Sequence, residues 1–223
     1  MTGCQNEPAQ PCCDLSSSHC PKFSARQSLL IRDDAYGVDE ASHPRIAAQL
    51  MASPHAQKLQ IVVNRRSSQQ PQHIYRYFRD LGATFLQFIP LVETEDSGSL
   101  SPASVQPEEW GAFLVAVFDL WVREDMGKIR VHHFDCALNI WRGHPAQIAC
   151  DGAALPNECR ECMVYRFCHG DCPKHRIASG KSALCAGYRH FFTYSAPHMK
   201  AMRDLLKQRR SPIELMALLK RSQ

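Results

Sequence analysis

The sequence predicts an α/β fold: parallel strands joined by helices, then a small cysteine-rich segment, then C-terminal helices. Three observations lead there. Residues 59–92 read as strand, helix and strand, the repeat unit of parallel α/β folds. A strongly amphipathic helix opens at Pro107 and is followed by another β-rich run. Five of the eleven cysteines crowd into the 27 positions from Cys159 to Cys185.

Residues 1–57 are weakly patterned, with Cys12-Cys13, a serine triplet at 16–18 and scattered Pro and His, and no element is assigned to them. From Leu59 the run Leu-Gln-Ile-Val-Val-Asn is rich in β-formers. Pro71 then opens a segment whose Ile74, Tyr77, Phe78 and Leu81 recur at helical spacing before Gly82. Phe85 to Val92 follows as a second buried strand. A linker rich in Ser, Gly and Pro runs from Thr94 to Gln106 and carries no recognisable chemistry.

In the helix that starts at Pro107, Trp110, Phe113, Leu114, Val117, Phe118 and Trp121 fall on one face, and Glu108 and Glu109 favour its positive N-terminal end. Gly127 is expected to end it. Ile129 to Leu138 reads as a third strand. Pro197 to Leu206 and Pro212 to Lys220 read as two short helices, the second with Ser211 as N-cap and Glu214 three residues after it. Three strands and two helices are too few for a closed eight-stranded barrel, so a parent architecture of that kind would be present only in part. The expected divisions are 1–57, 58–145, 146–196 and 197–223.

A length of 223 residues with 44% apolar content suits one globular domain or two small ones. The richest apolar stretch, Trp110 to Val122, is interrupted by Gly111 and Asp119, short of the roughly 18 residues a membrane-spanning helix needs. The N-terminus has neither a basic start nor an apolar core of signal type, so a cytoplasmic protein without a membrane partner is expected. The net charge of +4 comes from residues 197–223, where seven Lys or Arg face only Asp204 and Glu214. No nucleic-acid module accompanies them, and a solvated helix face is the expected reading.

Eleven thiols in a reducing compartment point to metal or redox chemistry rather than a disulfide framework. The dense run is Cys159-x2-Cys162-x5-Cys168-x3-Cys172-x12-Cys185. Thiolates so spaced converge on one centre, and soft sulfur selects zinc or iron–sulfur clusters while excluding magnesium and calcium. A closed zinc site takes four ligands and leaves one thiol over; a 4Fe–4S cluster also takes four, and a fifth cysteine of a dense run often serves a neighbouring cluster.

This run resembles the SPASM domain, which holds auxiliary 4Fe–4S clusters in certain radical S-adenosylmethionine enzymes. Within that superfamily, residues 168–176 (Cys-His-Gly-Asp-Cys-Pro-Lys-His-Arg), 184–192, 197–202 and 212–216 together resemble the anaerobic sulfatase-maturating enzymes. Val63-Asn-Arg, Ile74 to Arg79, Leu86 to Glu93 and Trp110 to Trp121 are similar to the later barrel strands and helices of the same family, so the likeness spans roughly residues 58–223. It implies a partial β/α barrel followed by a SPASM-like iron–sulfur domain. The family reaction implied is oxidation of a cysteine or serine of a sulfatase polypeptide to formylglycine, begun by a 5′-deoxyadenosyl radical from S-adenosylmethionine. The resemblance further implies that Cys159, Cys162, Cys168 and Cys185 bind the second auxiliary cluster, that Cys172 crosses to the first, and that a redox partner takes up electrons.

The sequence departs from the family at two points. The radical cluster needs Cys-x3-Cys-x2-Cys, whereas Cys4, Cys12, Cys13 and Cys20 leave gaps of seven, none and six residues, so the S-adenosylmethionine site is expected to be missing. Cys150-Asp151 resembles a remnant of the family's Cys-Asp pair, whose aspartate is a candidate base; Asp151 is therefore the candidate catalytic residue. Three readings follow: a truncated or divergent maturase-like protein, an auxiliary-cluster module for binding or electron transfer, and a zinc-binding gene fragment. Gly180-Lys181-Ser182 mimics a phosphate loop but has His175 where glycine is required. His132 and His133 are expected on opposite faces of a strand, His19-Cys20 as a surface pair, and Lys174-His175-Arg176 beside the cysteines as charge compensation or an acidic-partner contact.

Overall fold

The computed structural model describes residues 29–31, 58–145 and 155–221. Four parallel strands form one sheet in the order β1 (Leu29–Ile31), β2 (Lys58–Val63), β3 (Phe85–Pro90) and β4 (Arg130–Val131). Strand β1 lies within the stretch for which the sequence predicts no element; its Ile31 is buried and pairs with Ile61. Three residues carry too short a pattern to be read as a strand. The β2–β3 register sets Leu59 beside Leu86, Ile61 beside Phe88 and Val63 beside Pro90, so successive apolar side chains share one face. Across the other face Gln60 donates from Nε2 to Gln87 Oε1 at 3.1 Å.

The predicted β-α-β unit is present. Helix α1 (Pro71–Asp80) starts on Pro71, buries Ile74, Tyr75 and Phe78, and gives way at Gly82, whose φ of +85° a side-chain-bearing residue rarely adopts. Helix α2 (Pro107–Leu120) carries Trp110, Phe113, Leu114, Val117 and Phe118 into the core, and Gln106 and Glu109 close a reciprocal cap at its start. It runs on as a π-type turn over Trp121–Asp125 before the chain reverses at Gly127. The turn has a purpose in packing: Trp121 Nε1 donates to the Ile129 carbonyl at 2.7 Å, and buried Asp125 accepts from Tyr75 Oη at 3.2 Å and Arg79 Nη1 at 3.3 Å.

Two expectations are corrected. The third strand ends after Arg130–Val131, and residues 132–141 are helix α3 (His132–Trp141). Phe134, Ala137, Leu138 and Trp141 lie at i, i+3, i+4 and i+7, a helical period that turns them together onto the core; His132 and His133 consequently sit in a helix's first turn rather than across a strand. At the C-terminal end, the helix expected from Pro197 is the second half of α6 (Cys185–Lys207), 23 residues long with Pro197 inside it. Proline inside a helix costs about 3 kcal/mol, but Phe191, Phe192 and Ser195 before it and Met199 and Met202 after it are buried, and that packing outweighs the break. Helix α7 (Ile213–Arg221) starts one residue later than expected, with Ser211 Oγ accepting from Ile213 N and Glu214 Oε1 from Ser211 N, both at 3.3 Å.

Helices α2 and α6 cross with their backbones in contact. A Cβ placed on Gly187 would lie 2.1 Å from the Pro107 carbonyl oxygen, and one on Gly111 would lie 2.8 Å from Gly187 Cα. Between α3 and α6 stand α4 (Asn157–Arg160) and α5 (Tyr165–Cys168). Phe167 of α5 packs on Trp141 at 5.6 Å and on Phe192 at 5.0 Å between ring centroids, which ties the cysteine-rich segment to the core. Among the described residues no helix is long and apolar enough to cross a membrane.

His133 packs edge-on to Trp110 at 5.7 Å, and burial, reinforced by the neighbouring His132, pulls its pKa down to about 3. Below pH 6.5 the unfolded chain takes up a proton at this residue that the folded chain refuses, so stability is lost as pH falls from about 6.5 toward 3. The urea midpoint should drop between pH 7.5 and pH 5, and His133→Gln should flatten that drop. An unchanged pH slope in the variant would mean that His133 is not held neutral.

Candidate metal centre

Three short segments bring four thiols together. Cys159 is the third residue of α4, and the chain turns so that Cys162 N donates to the Cys159 carbonyl at 3.2 Å. Cys168 ends α5, and Cys185 begins α6. All four are free, and all four line a single pocket with Glu158, Tyr165, Asp171, Lys181, Tyr188 and Arg189. The cavity between them is small, about 30 Å³.

The spacing of the sulfurs bears on what can be held. Thiolates on a tetrahedral zinc stand about 2.3 Å from the metal, hence roughly 3.8 Å from one another. Among the described residues no three His, Cys, Asp or Glu side chains are grouped closely enough to share one ion. A cubane cluster spreads its thiolates more widely, because each binds a different iron. The four thiols line one pocket and are soft donors.

Burial, together with the nearby Cys185 sulfur, raises the Cys159 thiol. Burial pushes Cys168 up to about 11 against the opposing effect of the Gly170 N–H, which donates to its sulfur. That donor is aimed by a left-handed turn: His169, Gly170 and Asp171 have φ of 47°, 78° and 57°. Positive charge lies at the rim, where Arg189 Nη2 approaches Cys162 Sγ at 3.9 Å and Lys181 pairs with Glu158.

The remaining sequence-predicted residues fall elsewhere. Cys172 is buried, does not line this pocket, and has its sulfur in a disulfide. Asp151, Cys150 and the N-terminal cysteines lie outside the described residues. Cys136 is exposed, and its sulfur is 3.7 Å from His132 Nε2. Of the basic triplet, Arg176 braces the loop, donating to the carbonyls of Gly170 at 3.3 Å and Asp171 at 3.2 Å, while His175 Nδ1 donates to Asp171 Oδ2 at 3.0 Å; Lys174 is exposed.

The sequence reading missed Asp171, Ser182, Tyr188 and Arg189. In the sequence Ser182 stands out only as part of a false phosphate loop. The signal for Asp171 was its place between two cysteines of the run.

A second, open pocket lies just past the C-terminal end of β2, lined by Asn64, Arg65, Arg66, Gln69, Pro102, Ala103 and Glu109. Parallel sheets take their ligands at this edge.

No family model matches the chain. The chain is 43% identical over 161 residues to the uncharacterised protein YidF of Escherichia coli, an alignment that spans 72% of this chain and 91% of YidF. It is 27% identical over 233 residues to the serine-type anaerobic sulfatase-maturating enzyme of Bacteroides thetaiotaomicron, spanning 71% of this chain and 56% of that enzyme. The chain thus covers little more than half of that maturase. Among solved structures, native anSMEcpe with bound AdoMet and the Kp18Cys peptide superposes with a TM-score of 0.58 at 20% identity, over 79% of this chain and 68% of that one.

Proposed function

We propose that this chain is a relative of the anaerobic sulfatase-maturating enzymes it resembles, and that Cys159, Cys162, Cys168 and Cys185 hold one 4Fe–4S cluster in a SPASM-like domain attached to part of a β/α barrel. The observation that carries this is the single pocket that four free thiols line together. The donor set fits the group: four soft ligands and a backbone N–H already directed at one of the sulfurs. Bound there, a cluster would supply one-electron transfer.

This chain's own residues hold and enclose it. Tyr188 and Leu184 are buried at the start of α6 and limit solvent behind Cys185, while Arg189 and Lys181 at the rim offset the negative charge of the thiolates. Cys172 would enter a second cluster only with its disulfide opened. No step of S-adenosylmethionine cleavage is assigned to this chain, whose sequence lacks Cys-x3-Cys-x2-Cys. The protein is read as a divergent maturase-type iron–sulfur protein. The partner class is a sulfatase polypeptide, taken from the family and from the peptide held in the similar structure. A peptide of that kind would meet this chain at the sheet edge beside Asn64, Arg65 and Arg66.

The test is anaerobic reconstitution with iron and sulfide, followed by metal analysis and an assay for 5′-deoxyadenosine after adding S-adenosylmethionine and a reductant. About four irons per chain are expected, with no deoxyadenosine. Stoichiometric zinc without iron would sink the cluster assignment, and deoxyadenosine would overturn the reading of the N-terminal cysteines.

A further inference from the structure

Asp171 has no ligand of its own to hold, yet it is the most heavily bonded side chain around the four thiols. Its Oδ2 accepts from Ser182 Oγ at 2.7 Å and from His175 Nδ1 at 3.0 Å, its Oδ1 accepts from Tyr188 Oη at 3.3 Å, and the Cys172 N–H also reaches the carboxylate. These donors come from separate stretches of chain. Ser182 lies three residues before Cys185, and its Oγ in turn accepts from Leu184 N at 3.0 Å. Tyr188 lies three residues after Cys185 on α6. Asp171 itself lies three residues after Cys168. The carboxylate therefore grips α6 on both sides of Cys185 from the loop that carries Cys168.

The backbone is bent to make this possible. Two residues other than glycine, His169 and Asp171, occupy the left-handed region on either side of Gly170, a conformation that costs free energy at each. Two bonds of the Arg176 guanidinium to the Gly170 and Asp171 carbonyls hold the turn from outside. Burial alone would raise the Asp171 carboxyl, but the hydrogen bonds from His175, Ser182 and the Cys172 N–H outweigh it and keep the group below the ordinary carboxylate value.

We propose that Asp171 is the positioning residue of the four-thiol site, fixing the Cys168 loop against the start of α6 through its bonds to Ser182 and Tyr188. The inference rests on the cluster reading for its spectroscopic consequence only; the spacing of the two segments is a property of the metal-free chain. An amide at this position keeps the shape but removes the charge, so the bonds accepted from Ser182, His175 and Tyr188 lose their charge assistance, and the new NH2 is met only if a hydroxyl turns from donor to acceptor.

The experiment uses Asp171→Asn and Ser182→Ala in the full-length protein. In the metal-free state, mass spectrometry follows alkylation of each cysteine by iodoacetamide. Cys168 should react about tenfold faster in Asp171→Asn and by a smaller factor in Ser182→Ala, with Cys136 unchanged and far-ultraviolet circular dichroism preserved. After anaerobic reconstitution, the electron paramagnetic resonance spectrum and midpoint potential should differ from those of the wild type. Wild-type alkylation rates together with a wild-type spectrum in Asp171→Asn would overturn the proposal. Should Asp171→Asn fail to fold, an unaltered Cys168 rate in Ser182→Ala would overturn it instead. A wild-type protein that takes up no iron would refute the cluster reading, while the alkylation rates would still decide the role of Asp171.

Discussion

Gly187→Ala should destabilise the protein by about 3 kcal/mol or more, at or beyond the upper end of ordinary overpacking. The added methyl would stand 2.1 Å from the Pro107 carbonyl oxygen and 2.9 Å from Gly111 N, and both are backbone atoms that no rotamer change can move. Relief requires α6 to back away from α2, which loosens the packing of Trp110 and Phe118 against Tyr188 and Phe191. Gly98→Ala is the comparison: φ is +80° there, but nothing lies within 4 Å, so only the backbone term of about 1 kcal/mol remains. Urea unfolding of the metal-free proteins checks both. A Gly187→Ala midpoint no lower than that of Gly98→Ala would contradict the backbone contact between the helices.

Cys185→Ser should reduce reconstituted iron from about four per chain to less than one, because three thiolates and a hydroxyl leave the cluster without a soft fourth ligand. Cys162→Ser should do the same, whereas Cys136→Ser should leave iron content intact, since Cys136 is exposed and does not line the pocket. Circular dichroism of the metal-free variants separates ligand loss from misfolding, as Cys185 is only half-buried. Full iron content in both the Cys162 and Cys185 variants would refute the ligand assignment.

Much of this was legible in the sequence, and for identifiable reasons. Leu59 to Val63 and Phe85 to Pro90 are dense in β-formers and are divided by Gly82, so strand, helix and strand follow from composition and punctuation alone. The face of α2 followed from its spacing; the spacing of the cysteines marks a run of five, and the choice of four among them comes from the family resemblance. Residues 132–141 read as strand because Val131-His-His-Phe has no helix signal at its start, while the rings on which Phe134 packs, Phe118 and Phe191, belong to other helices. Pro197 reads as a helix start because its local rule is strong; Met199 and Met202 override it through packing that no short window contains. Asp171 stayed invisible for a related reason: its partners Ser182 and Tyr188 are 11 and 17 residues away.

Helix α6 begins with a candidate ligand at Cys185, passes its closest neighbour at Gly187 and ends among the core methionines. Each residue of a helix turns the chain by about 100°. Inserting or deleting one residue between Cys185 and Met199 would therefore swing either the sulfur out of its pocket or the methionines out of the core. Neither error is corrected by any single replacement. The stretch from Cys185 to Met199 can therefore change letters but not length.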